Sequence, residues 1–395
     1  MLNILRSNKC LNIHIMRNIQ ICNFVIVLLF SFSVLNCNPK HKEENNNNLL
    51  PDPDEIVFYS KGSDFSPVIV LQSEATVTWI WADSTTSNST SPVKDYGSAL
   101  LRKNRLKVTP WSALQRINIG YDAKDGGSDS IELVADQNVS LVENLYLVAP
   151  FLKHWCSAYN EFKSLDFSNF VNIETIECLG SDSLTHVNIA NTPKLRRACF
   201  EDSNLLNLDL SGSPALEDLR GASNEFNTIT FSNRHENIWH LCVRDNPHLS
   251  NQNMFSNIGK FPKIAELFIW NTNQQGSLTI PGTNPNREVS IMASYNKFSS
   301  INFRGSLKNL DAYGSVEMSY NSLTSVDITG CIQIKKLDLS NNKLESIAID
   351  QILKQVDEYG TENGTVDLRF NKPPTDQGLA SIANLKKRGW IVSVD

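Results

Sequence analysis

TSVDITGCIQIKKLDLSNNKLESIAID, residues Thr324 to Asp350, states one small pattern three times. The apolar pairs Val326/Ile328, Leu337/Leu339 and Ile347/Ile349 each flank a single residue and run into a polar turn. Apolar residues two apart mark a short strand that buries one face. The pairs begin about ten residues apart, too close to fit a long helix between them. The stretch therefore predicts a chain that folds back on itself through short extended segments.

Laid out at a period of about 21 residues, the chain repeats a template of apolar, two spacers, apolar, spacer, apolar, and a polar slot three residues later. The slot is filled by Asn138, Asn160, Ser181, Ser203, Asn224, Asn246, Asn296, Asn321, Asn342 and Asn371. Pairs before it include Ile176/Cys178, Leu241/Val243, Leu267/Ile269, Val316/Met318, Leu337/Leu339 and Val366/Leu368. Asn suits the slot because a chain turning inward after each strand leaves backbone groups without sheet partners, and an amide side chain offers both donors and an acceptor. Stacked coils then form an asparagine ladder. A second apolar pair follows about ten residues on, as in Leu208/Leu210, Ile229/Phe231 and Ile301/Phe303, so the opposite side of each coil is also expected to be extended.

This template resembles the leucine-rich repeat, and LDLSNNKLESIAI in particular is similar to the short repeat of internalin-like and Bacteroidetes-type bacterial surface lipoproteins. The resemblance implies a β-rich solenoid: a right-handed coil with a parallel concave sheet, a small β-rich N-terminal cap and an α/β C-terminal cap. Repeats are expected over 114–348. Residues 349–395 resemble the terminal segment of many bacterial leucine-rich repeat proteins, with a helix, an Asn-Gly-Thr turn, a strand, a Pro-containing loop, a second helix, Gly-Trp and a last strand. An open solenoid end must be covered, and Trp390 with Leu379, Ile382 and Leu385 is the expected lid. Residues 55–113 hold candidate strands Ile56–Tyr59, Val68–Leu71, Ala75–Trp81 and Arg105–Val108 and read as the N-terminal cap. The alternative is a separate immunoglobulin-like module, for which about sixty residues are few. Two units break the rhythm: Pro247 to Ile264, with room for a helical turn, and Asn273 to Glu288, without a helix pattern. Such insertions are either loops near a binding surface or tolerated drift.

The chain has 395 residues, 41% hydrophobic, and a formal net charge of −6. Without a long Lys/Arg run beyond the N-terminal region it does not read as a nucleic-acid binder. A basic start (Lys9, Arg17) precedes the apolar run Ile21–Leu35, a length that suits a signal-peptide core better than a spanning helix, an uncleaved anchor being the alternative. Val34-Leu35-Asn36-Cys37 resembles a bacterial lipobox, with Asn36 where most place Gly, Ala or Ser. The resemblance implies a lipoprotein signal peptide over 1–36, lipid on Cys37, and a bacterial outer-membrane location. Lys42-Glu43-Glu44 resembles a signal that sends some such lipoproteins to the cell surface. Residues 37–54, with an Asn run and Pro51-Asp52-Pro53, read as a disordered tether.

Catalytic motifs are missing: there is no G-x-S-x-G, H-E-x-x-H, P-loop or G-x-G-x-x-G. His235-Glu236 lacks the second histidine of a zinc helix. The acidic loop Asp122 to Glu132 puts Lys124 and Gly126 where a calcium loop needs oxygen ligands, so it reads as a polar turn. No metal or cofactor is expected. Five cysteines remain beyond Cys37: Cys156, Cys178, Cys199, Cys242 and Cys331. Cys156, Cys199 and Cys242 recur every 43 residues, or every second coil. Strands stack at about 4.8 Å, which separates them by about 10 Å and rules out bridges between them. Free thiols are expected, with metal binding the minor alternative.

Spacer positions of each strand point away from the core, onto the concave face. On the middle coils they carry Trp239, His240, Phe268 and Trp270, with Tyr295 and Tyr320 slightly later in the motif, while Arg196, Arg197, Asp218, Arg220 and Arg244 lie on coils before them. Aromatics beside arginines on an exposed sheet have the composition of interaction hot spots; the alternative is that they tuck under the flanking insertions. The expected function is that of a non-enzymatic, monomeric binding protein, anchored to the membrane by lipid, that takes protein or glycan ligands on this face. Two rivals are an enzyme using His154, His240 or Asp218 on the sheet, and a structural envelope protein with no soluble ligand.

Overall fold

The computed structural model describes residues 54–120, 133–232, 235–249, 255, 261–281, 289–304, 315–329 and 331–395. The signal segment, Cys37, the tether up to residue 53, the acidic loop 122–132, most of the 247–264 insertion and residues 282–288 of the second insertion lie outside the described residues.

Each coil contributes one short strand to a single 13-stranded sheet. The sheet runs from Val68–Leu71, the one antiparallel member, through Leu114–Asn118, His154–Cys156 and the following coils to Thr365–Asp367 and Ile391–Ser393. The register is unbroken: Trp155, Ile176, Ala198, Leu219, Leu241, Leu267 and Ile291 stand in line across seven successive strands. All of these side chains are buried, each stabilising the fold by roughly 1.5–3 kcal/mol for the larger ones. A slip of one residue would turn the whole row to solvent, which fixes the pairing. The other side of the coils is extended as expected, in small parallel sheets: Asn207–Asp209 with Thr228–Thr230, and Gln275–Pro281 with Lys297–Arg304 and Ser325–Asp327. The molecule is a β-rich leucine-rich repeat solenoid.

The asparagine ladder is present in atomic detail. Asn342 Oδ1 accepts from Leu323 N at 2.9 Å, and its Nδ2 donates to Met318 O of the preceding coil at 2.9 Å. Asn321 and Asn371 repeat the arrangement, bonding Phe298 N with Ala293 O and Leu344 N with Leu339 O. The coil skipped between Asn246 and Asn296 uses Thr272, whose hydroxyl donates to Ile269 O at 2.6 Å. Asn138, counted into the ladder from spacing, departs from it: its amide bonds Tyr59 N and Tyr59 O, tying the N-terminal sheet to the first coil.

The position just before the ladder residue is left-handed in coil after coil, at Tyr159, Gly180, Asp202, Ser223, Asp245, Asn271, Tyr295, Tyr320, Asn341 and Phe370. A left-handed residue reverses the chain within one step.

Two expectations from the repeat are corrected at the C-terminal end. Ile347/Ile349 is not a strand pair: Ser346–Glu358 is a helix, α2, after the short α1 at Leu141–Val148. The buried residues Ile349, Ile352, Leu353 and Val356 keep helical spacing, and Ile347 is exposed. The residues after Ile349 thus override the alternation before it. Helix α3, Asp376–Lys387, buries Gly378, Ser381, Ile382 and Leu385, a face from which Leu379 points away, 51% exposed. Leu379 is therefore no part of the lid. Trp390 is buried, donates Nε1–H to Thr361 O at 2.7 Å, and lies so close to Gly364 that a Cβ there would stand 2.4 Å from its ring.

At the other end, Ile56–Ser60, Arg102–Thr109, Thr76–Ile80 and Thr86–Ser87 make a four-stranded antiparallel sheet. Phe58 and Trp79 of this sheet are buried together with Phe65 and Trp81 beside it, the two Trp rings stacked at 5.6 Å. One hydrophobic core runs from Ile56 to Trp390, so this sheet packs as the end of the solenoid and not as a separate sandwich. No helix among the described residues is long and apolar enough to cross a membrane.

Candidate ligand-binding face

The outward residues of the main sheet form two rows, the first and third positions of each three-residue strand. The first row runs Arg197, Asp218, His240, Glu266; the third runs Glu177, Cys199, Arg220, Cys242, Phe268. Strands of three residues put i and i+2 on one face, so the face is built from pairs such as Asp218/Arg220 and His240/Cys242.

These rows knit into a charge network. Arg197 Nε lies 3.3 Å from Glu177 and 3.7 Å from Asp218, and Arg220 Nε lies 3.2 Å from Asp218. His240 Nδ1 faces Glu266 at 3.0 Å and Asp218 at 3.8 Å. His240 is 7% exposed, less than the sequence suggests, because Trp239 and Phe268 meet its ring edge-on, both at 5.5 Å. Burial lowers its pKa, a pull that Asp218 and Glu266 oppose and Arg220 and Arg197 reinforce. Burial thus favours the neutral imidazole, with Nδ1 turned toward the Glu266 carboxylate.

His240 stands beside the carboxylates of Asp218 and Glu266, the pairing an enzyme on this face would need, and the cysteines of the neighbouring outward row are not activated. Cys242, two residues on, has its thiol pushed up to about 11, first by burial and then by Glu201. Cys199 is pushed up to about 12, again chiefly by burial. Both are ordinary thiols at neutral pH. A shallow depression lined by Leu71, Ser73, Glu74, Ala75, Thr76 and Thr109 lies at the antiparallel edge, six strands from His240. Among the described residues no group of three or more His, Cys, Asp or Glu is placed to hold a metal ion.

The cysteines depart from the expectation in one respect. None of the five is in a disulfide, but Cys156, Cys199 and Cys242 are buried although they sit in the outward row. A thiol is short, and longer neighbours cover it: the Glu201 carboxylate reaches to 3.9 Å from Cys242 Sγ.

The predicted aromatics fall into two groups. Trp239, His240, Phe268 and Trp270 form a continuous chain of ring contacts, closed by Phe268 against Trp270 at 6.3 Å and by the Arg244 guanidinium 5.0 Å over the Trp270 ring. Trp239, Phe268 and Trp270 are half-buried. Tyr295 and Tyr320 stand apart as a parallel stack, 58% and 48% exposed.

No protein-family model matches the chain, and no curated protein matches it. Among solved structures it is similar to the functional domain of InlJ from Listeria monocytogenes, described as including a cysteine ladder. The TM-score is 0.39 at 14% identity, over 60% of this chain and 53% of that one. It is also similar to the internalin InlF from Listeria monocytogenes, with a TM-score of 0.36 at 11% identity, over 72% of this chain and 83% of that one. The chain spans about half the length of the InlJ domain.

Two exposed aromatics escaped the sequence reading. Tyr159 and Phe370 occupy the same left-handed turn position as Tyr295 and Tyr320, and both are exposed. The signal is the residue directly before each ladder position, which has the repeat's own period and could have been followed along the chain.

Proposed function

We propose that the protein is a non-enzymatic binding protein of the bacterial cell envelope, held at the outer membrane by lipid on Cys37 and taking a protein or glycan ligand, as a monomer, on the outward face of its main sheet. The observation that carries this reading is the cluster of Trp239, Phe268 and Trp270 capped by Arg244. Large aromatics held half-open beside a guanidinium lose little freedom on binding and contribute both apolar area and cation–π attraction. A rigid repeat sheet without an enclosing pocket suits an extended ligand better than a small molecule.

The test is a binding screen of the full chain against glycans and extracellular proteins, beside a Trp239/Phe268/Trp270→Ala variant with an unchanged circular dichroism spectrum. Binding that disappears in the variant supports the reading; equal binding by both removes it. For the anchor, palmitate should label the protein and leave a Cys37→Ser variant unlabelled. Equal labelling of the two would end that part of the proposal.

A further inference from the structure

Left-handed backbone favours Gly, Asn and Asp, and strains bulky side chains. The turn position before the ladder obeys this at Gly180, Asp202, Asp245, Asn271 and Asn341, but carries aromatics at Tyr159, Tyr295, Tyr320 and Phe370. Three of these four fall within four consecutive coils, those of Tyr295, Tyr320, Asn341 and Phe370. The bonds from Tyr295 N to Ser319 O, Tyr320 N to Ser340 O and Asn341 N to Arg369 O, at 3.0, 3.1 and 2.9 Å, set these coils side by side. Tyr159 packs over Gly180 of the next coil and Tyr295 over Tyr320, so each ring lies against its neighbouring coil while keeping an open side, and strained positions cluster at functional sites.

The Tyr295 and Tyr320 rings stack at 4.5 Å with 7° between their planes, so the stack advances by one ring per coil. At the next coil a ring is missing: Asn341 stands there. One coil further, Phe370 is 64% exposed. We propose that the gap over Asn341, between Tyr320 and Phe370, is a subsite for one pyranose ring of a glycan. The proposal rests on the reading of this side of the solenoid as a binding surface and names the ligand's chemistry.

Two coil spacings separate Tyr320 from Phe370 by about 9.6 Å. Van der Waals contact on each side takes about 3.5–4.0 Å, which leaves about 2 Å for the thickness of whatever lies between. One six-membered ring therefore fits between the two, as one ring per coil does in the Tyr295–Tyr320 stack, and the polar rim of the gap selects a sugar over an aromatic side chain. The rim is polar: the Asn341 amide forms the floor, its Nδ2 3.4 Å from the Ser340 hydroxyl, and Arg369 is held beside it by Asp367 at 3.0 Å. Amide, hydroxyl and guanidinium groups supply the donors and acceptors that sugar hydroxyls need.

The experiment is calorimetric titration of the full chain with soluble hexasaccharides of glucose, N-acetylglucosamine, mannose and xylose, beside three variants. Asn341→Tyr fills the gap with the protein's own ring; Phe370→Asn removes one wall with a residue that accepts the left-handed turn; Tyr159→Asn makes the same change at a distant coil. At least one hexasaccharide should bind, more weakly by about tenfold in the first two variants and unchanged in the third. The subsite is overturned if no hexasaccharide binds, or if binding survives Asn341→Tyr. A tryptophan-rich peptide that binds in place of saccharide, and is lost in Asn341→Tyr, would overturn the sugar assignment in favour of a protein ligand. Saccharide binding lost in the Trp239/Phe268/Trp270 variant but kept in Asn341→Tyr removes the subsite and leaves the broader reading standing.

Discussion

Single residues in a solenoid act on two coils at once, and Asn342 shows why. Its amide satisfies Leu323 N and Met318 O, neither of which has a strand partner where the chain turns inward. Leucine has a similar volume but leaves Leu323 N unpaired, at about 1–3 kcal/mol, and takes from Met318 O one of its two donors, the Asn321 amide remaining at 3.1 Å. Asn342→Leu should therefore lower the melting temperature markedly; a melting curve that overlays the unaltered protein's would refute the ladder's role. His240 is the residue whose protonation the fold resists. Its pKa is lowered from the usual 6.5, so the unfolded chain binds the proton more readily. The stability it contributes is whole above about pH 6.5 and is lost as pH falls through the lowered folded value. His154 is shifted the same way, also by burial, so part of the acid sensitivity stays when His240 is replaced. His240→Gln should flatten, without abolishing, the fall of melting temperature below about pH 6.5, and an unaltered pH profile would place the sensitivity elsewhere.

At the scale of elements, the sequence spoke most clearly where one pattern repeats. The strands of the main sheet follow from apolar pairs such as Leu241/Val243 and Val316/Met318, because the period-two signal and the ladder residue check each other in every coil. Ile347/Ile349 misled for the same reason: a pair is read in the frame of the preceding repeats, and only the spacing of Ile352, Leu353 and Val356 shows the helix. The candidate face was legible as residue types, but which of them stay open was not. His240 is covered by Phe268 of the next strand as well as by Trp239 beside it, and Cys242 by Glu201, 41 residues earlier, separations that no local pattern reports. The C-terminal cap gives an element its own test. Trp390 fills the space left by the absent side chain of Gly364, so Trp390→Ala should cost about 3–5 kcal/mol. Gly364→Ala should also destabilise, by forcing the ring outward. Differential scanning calorimetry of the two variants checks both, and an undiminished transition in either would show that this contact does not hold the cap.

For the whole molecule, each coil touches only its neighbours, so the free energy of the stack is close to a sum of coil and interface contributions, and loss of structure starts where an end is uncovered. The five buried thiols are placed to report this. They sit at 156, 178, 199, 242 and 331, spread from the first coils to the C-terminal cap. Burial raises the pKa of Cys178, Cys199, Cys242 and Cys331, so each reacts with an alkylating reagent only when its coil opens. Cys331 lies one coil below α2, whose Tyr359 hydroxyl donates to Ile328 O at 2.6 Å. In the intact protein all five should label slowly. In Trp390→Ala, Cys331 should label first, with Cys178 and Cys199 lagging behind it, as mass spectrometry of timed samples would resolve. Simultaneous labelling of all five would mean that the solenoid opens as one cooperative unit, and that the cap stabilises the distant coils as strongly as its own.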